Sequence, residues 1–183
     1  MAVLIEGISV VIRGDRLLAA FNNNWDAFKE IVPNKTLCAD NELIRVGFMV
    51  PPDVKDFNKR LAGHGLIYLA DGVAQDLVVV DQMRGPLARC TWVEFGHINL
   101  DGDPKQRVAA CRLVGSTQSV VITPPGWTLG GSLSSSFSFV PTGQSEKSLV
   151  FLRHQEGMEV YRNRLTGKEV FIGRTRTRED TGE

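Results

Sequence analysis

The 183-residue chain is long enough for one large domain or two small ones, and a domain of this length buries roughly 70% of the surface of its unfolded chain. Hydrophobic residues at 43%, charged residues at 23% and a formal net charge of zero describe an ordinary globular composition. They supply no general electrostatic attraction for nucleic acid or an anionic membrane. No apolar run approaches the roughly 20 residues needed to cross a bilayer, and three widely spaced cysteines without a CxxC support neither a disulfide framework nor a zinc knuckle.

MAVLIEGISVVIR, without a basic leader or small-residue cleavage site, reads as the first strand. Asp15 is then placed to cap a helical segment whose Phe21, Trp25, Phe28 and Val32 share one face. Asn22, Asn23 and Asn24 compete for backbone hydrogen bonds, so the spacing predicts two short helices broken there. TLCADNELIRVGFMV predicts a strand or hairpin turning at Ala39-Asp40-Asn41. Pro51-Pro52 ends it, Asp53 is the expected N-cap of the next helix, and Val54, Phe57 and Leu61 form its buried face. Gly63 or Gly65 supplies the stop.

LIYLADGVAQDLVVVDQ predicts two strands across an Asp71-Gly72 turn, with Leu77 to Val80 buried on both faces. MRGP breaks the pattern, and TWVEFGHINL and RVAACRLVG follow as a strand pair. The chain then turns rich in Gly, Ser and Pro; Leu133, Phe137 and Phe139 suggest an alternating strand, and PTGQSEKS an exposed loop. SLVFLRHQEGMEVYRNRLTGKEVFIGR predicts three strands with turns at Glu156-Gly157 and Thr166-Gly167. Helices confined to the first 65 residues and strands thereafter argue for an α+β fold with a mostly antiparallel sheet. The expected organisation is a single domain over residues 1–173, with an all-β C-terminal half and a disordered tail at 174–183.

Residues 42–95, ELIRVGFMVPPDVKDFNKRLAGHGLIYLADGVAQDLVVVDQMRGPLARCTWVEF, run through a strand, a helix opened by Pro-Asp-Val and a Gly before the next strand, to a last strand carrying Val93-Glu94-Phe95. This pattern resembles the β-α-β-β-β module of the vicinal oxygen chelate (glyoxalase-like) superfamily, and LIEGISVVIRGDRLLAAF is faintly similar to that family's opening strand and helix. The resemblance covers under a third of the chain. It implies paired modules and a divalent metal held by strand residues, with Glu94 at the last-strand position and Glu6 where a His is usual. On that reading the protein is a metal-dependent enzyme acting on a small molecule, with further ligands from a partner subunit.

GHINLDGDPKQR places His97, Asp101 and Asp103 close together. His97 and Asp101 lie four residues apart on a strand, about 13 Å by strand rise. Asp101-Gly102-Asp103-Pro104 is strong turn chemistry, so the stretch reads as a hairpin turn rather than a metal site. Gly130-Gly131-Ser132-Leu133-Ser134 misses the GxSxG elbow, with Ser134 in the final Gly position and a strand following, although His154 is a base in principle. Cys90, near Arg84 and Arg89, is one residue parity out of register with His97 and reads as a structural thiol.

Asp81, Arg84, Trp92 and Glu94 are the candidate ligand-binding group. Asp81 ends a buried strand, QMRGP is an irregular connection, Arg84 suits an anionic group and Trp92 a pocket wall. The plainer reading pairs Arg84 with Asp81 and buries Trp92 in the core. Residues 153 to 178 carry seven Lys/Arg against three acids, with Arg162 and Arg164 on one strand face, Lys168 near the turn and Tyr161 opposite. They read as a solvated edge hairpin rather than a nucleic-acid surface. The chain is therefore expected to be a cytoplasmic binding protein for a small molecule or protein, with no evident catalytic centre and no cofactor. A homodimer is expected because so many strands leave a face or edge to cover.

Overall fold

The computed structural model describes residues 1–117, 119–134, 149–155, 158–163 and 169–173. Phe137, Phe139, Arg164, Lys168, the 141–148 loop, the two C-terminal turns and the 174–183 tail lie outside these residues. The fold is α+β: three helices precede residue 65 and the strand pairs are mostly antiparallel. No described helix is long and apolar enough to cross a membrane.

The opening apolar run, expected as one strand, is two: β1 (Ala2–Ile5) and β2 (Ile8–Arg13). Gly7 between them has φ 60°, and a side chain there would run into the Phe48 carbonyl, so glycine makes this corner. Because both halves are apolar, alternation alone did not reveal the break. β1 joins a four-stranded sheet ordered β11 (Val121–Ile122), β1, β10 (Arg107–Leu113), β9 (Val93–Asn99). β2 is the centre of a five-stranded sheet ordered β3 (Cys38–Ala39), β4 (Leu43–Phe48), β2, β7 (Leu77–Asp81), β8 (Gly85–Pro86).

The helices cover one face of the five-stranded sheet. Helix α1 (Gly14–Ala20) and α2 (Trp25–Ile31) are separated at the asparagines, where Asn22 and Asn23 have φ of 51° and 59°. Asn24 caps α2 by accepting from the Ala27 amide at 3.0 Å. Asp15 does not cap α1: the helix starts one residue earlier, Arg13 is the cap residue, and the Asp15 carboxylate pairs with Arg13 instead. Likewise α3 (Pro51–Gly63) begins at the prolines, so Asp53 sits in the first turn rather than at the cap. Proline's missing N–H costs nothing at those positions.

Two apolar interfaces result. Ile8, Val10, Ile12, Ile44, Val46, Phe48, Leu77 and Val79 meet the helices through Leu17, Phe21, Phe28, Val54, Phe57 and Leu61. Val11, Leu43, Val78 and Val80 point the other way, against Val3, Ile5, Val93, Ala109 and Cys111 of the four-stranded sheet. Each fully buried aliphatic side chain contributes about 1.5–3 kcal/mol. This covering of both faces explains why β2, β4 and β7 read as continuous apolar runs.

The Asp71-Gly72 turn, with φ of 52° and 75°, does not lead into Leu77–Asp81 as expected. It closes a separate small hairpin of β5 (Leu69–Ala70) and β6 (Val73–Ala74), leaving β7 free to pair with β2. Leu133 lies in an irregular turn rather than a strand and packs on the helix-side core. The predicted hairpin pairs are found at β3–β4 and β9–β10. The three C-terminal strands, β12 (Leu149–Gln155), β13 (Met158–Asn163) and β14 (Glu169–Gly173), form their own antiparallel sheet.

Candidate functional site

Of the four candidate residues, Asp81 and Arg84 are brought together. Asp81 ends β7 fully buried, and its Oδ1 accepts from the Met83 amide at 2.9 Å and the Arg84 amide at 3.0 Å. An Arg84 guanidinium nitrogen stands 3.4 Å from Asp81 Oδ2 while that side chain stays more than half exposed. The next residue, Gln82, is buried: its backbone N–H donates to the Gly7 carbonyl and its Oε1 accepts from the Gly7 amide, both at 2.9 Å. The β7–β8 turn is thus held from inside on two consecutive side chains, and Met83, Arg84 and Leu87 face out from it.

Trp92 and Glu94 have other partners. Trp92 is half-buried against the inter-sheet core, donates its indole N–H to the Ala74 carbonyl at 3.1 Å, and carries the Arg13 guanidinium 5.9 Å above its ring. Glu94 is exposed on β9 and forms a 2.9 Å ion pair with Arg112, its neighbour in the β9–β10 register.

The carboxylate of Glu6, at the β1–β2 corner, accepts from the Trp127 indole at 3.1 Å, the Ser134 amide at 3.0 Å and the Ser134 hydroxyl at 2.6 Å. These bonds fold the glycine- and serine-rich segment over the corner, which is the role found for GGSLS. Glu6 and Glu94 are not brought together. By strand spacing and rise their positions, two strands across and about four residues along, lie on the order of 16 Å apart. Among the described residues no group of three or more His, Cys, Asp or Glu is placed to hold a metal.

His97 lies on β9, and the turn follows it at Leu100–Gln106. Asp101 and Gly102 have φ of 50° and 75°, and the Leu100 amide closes onto the Gln106 carbonyl at 2.8 Å. Asp103 steadies it by accepting from the Lys105 amide at 2.9 Å. His97 is exposed; partial burial, and then the Arg107 charge, lower its pKa. Cys90 packs partly buried against the inter-sheet core. In the C-terminal sheet Arg153 makes two hydrogen bonds to the Glu169 carboxylate at 3.0 and 2.9 Å, and Arg162 stands opposite Glu169 in register. That carboxylate dilutes the basic field of the hairpin.

Sequence reading missed Arg45, the one buried cation among the described residues. On the inter-sheet face of β4 it donates from Nε to the Ser9 hydroxyl at 2.9 Å. Its terminal nitrogens donate to the carbonyls of Thr36 at 3.1 Å and Glu6 at 2.9 Å. A side chain at position 47 would strike this guanidinium, so Gly47 makes the space. Burial lowers the Arg45 pKa, with the Cys38 thiol and Glu6 carboxylate opposing, and burial pushes the Cys38 thiol up against the pull of Arg45. The signal was present in LIRVGF: one cation in an otherwise apolar strand, two residues before a glycine.

Comparison with known proteins finds no matching family, no matching curated protein and no matching solved structure.

Proposed function

We propose that this chain is a protein-binding module that presents the β7–β8 turn to its partner. The observation that carries the reading is the pairing of an anchored backbone with exposed apolar side chains: Met83 and Leu87 are 55% and 45% exposed on either side of Arg84, while Asp81 and Gln82 beneath them are buried and hydrogen-bonded. Methionine and arginine are enriched at protein interfaces, and a turn already ordered loses little further entropy on binding. In this assignment Arg84 and the two apolar residues make contact, and Asp81 is a positioning residue. Trp92 and Glu94 stabilise the adjoining strand start. The partner chemistry is an apolar groove carrying a carboxylate for Arg84. The three free cysteines support a reducing compartment such as the cytoplasm.

A displayed random-peptide library is the probe. Peptides pairing an acid with apolar residues should be enriched on the wild-type protein. They should lose about tenfold or more in affinity, or about 1.4 kcal/mol, for Arg84→Glu and for the Met83→Ser, Leu87→Ser double variant. Absence of enrichment, or affinities unchanged by both variants, would overturn the reading.

A further inference from the structure

Among the described residues, strand β9 is an edge of the four-stranded sheet, and its outer side has a defined hydrogen-bonding pattern. Trp92 accepts from the Val114 amide at one end, and Leu100 donates to Gln106 at the other. The register between them is continuous, with Glu94 opposite Arg112, Gly96 opposite Ala110 and Ile98 opposite Val108. In an antiparallel ladder, alternate residues turn both their N–H and C=O to one side. The even-numbered residues of β9 therefore bond to β10, and Val93, Phe95, His97 and Asn99 direct theirs outward.

Exposed edges invite pairing, and proteins blunt them with short length, proline, bulges or cations. Among the described residues, four other edge strands show those devices, while the five-residue β14 does not. Strands β3, β8 and β11 have two residues each, β8 contains Pro86, and β12 carries a register shift beside Arg153. Strand β9 has seven residues in unbroken register without Pro, Lys or Arg, and its one charge, Glu94, is paired with Arg112 of β10.

We propose that β9 pairs antiparallel with β9 of a second copy about a twofold axis at Gly96, joining two four-stranded sheets into one of eight. The second copy is the occupant because the strand is complementary to itself. An axis at Gly96 sets Phe95 opposite His97 and Val93 opposite Asn99 of the other copy, matching all four outward residues with outward residues. Axes centred on Phe95 or His97 leave one unmatched. Glu94 then faces Ile98, so no like charges meet. Gly96 meets its own counterpart in a non-hydrogen-bonded pair, where antiparallel Cα atoms approach to about 4.5 Å. A Cβ added at Gly96 meets nothing within 4 Å in one chain, so this position can be changed without disturbing the protomer.

The test uses the full chain. Sedimentation velocity up to high protein concentration should show a dimer that is lost in Gly96→Lys, which places two ammonium groups at the axis; circular dichroism should show that variant folded. Under mild copper-phenanthroline oxidation, Gly96→Cys should give a covalent dimer beyond the wild-type background. Glu94→Cys should not, because its two copies lie about 14 Å apart. A wild-type protein that stays monomeric, a dimer that survives Gly96→Lys, or equal cross-linking at positions 94 and 96 would each overturn the proposal. None of these outcomes bears on peptide capture by the β7–β8 turn.

Discussion

On the helix side of the five-stranded sheet, Ile8, Val10, Ile12, Ile44 and Val46 meet Leu17, Phe28, Phe57 and Leu61, hydrocarbon against hydrocarbon. On the other side, the same strands send Ser9 and Arg45 into the space between two sheets, where both are satisfied by hydrogen bonds to each other and to the Glu6 and Thr36 backbone. The difference teaches how the two layers are specified. A hydrocarbon interface tolerates exchanges of shape that preserve volume. A buried polar network tolerates the loss of none of its members, because the remaining partners stay buried and unpaired.

The largest expected effect comes from Arg45→Met. It removes the donor to the Thr36 carbonyl and one donor to the Glu6 carbonyl, and should cost about 3 kcal/mol in urea unfolding, against about 1 kcal/mol for Phe57→Leu on the helix side. Equal costs would erase the distinction between the faces. Next, Ser9→Ala should cost about 1.5 kcal/mol alone and much less in the Arg45→Met background, since the two side chains share one network. Additive losses would show that they act separately.

A smaller, kinetic consequence concerns the thiols lining the inter-sheet layer. Burial pushes the thiols of Cys38 and Cys111 up, while Cys90 is only partly buried. In the folded protein Cys90 should react first with a disulfide reagent, and the other two should follow at the rate of unfolding. Three equal rates would mean that the layer opens readily.

The smallest effect belongs to His97. Its folded pKa is lowered, so its stability contribution is complete above the ordinary histidine value of about 6.5 and is lost as pH falls below it, where the unfolded chain takes the proton first. His97→Gln should slightly flatten the fall of Tm between about pH 7 and pH 5. A variant with a steeper fall would reverse the sign.

Local chemistry in the sequence determined much of this protein. The asparagine break between α1 and α2, the Asp71-Gly72 and Asp101-Gly102 turns, the buried face of α3 and the β9–β10 pair all follow from backbone preference and periodicity over a few residues. The α+β class follows from their order. Pairing Asp81 with Arg84 was legible too, because they stand three positions apart across one turn. Tertiary structure alone decided the rest. Whether MAVLIEGISVVIR is one strand or two depends on Gly7 meeting Phe48, 41 positions away. The isolation of the β5–β6 hairpin depends on β2 claiming β7. That Trp127 and Ser134, more than a hundred residues on, bond the Glu6 carboxylate is likewise a long-range fact. Arg45 could be recognised as a buried hub only once two sheets closed over it. Periodicity reports which faces are apolar, but not which distant surface covers them, and a buried charge is made acceptable only by partners that the fold brings from elsewhere.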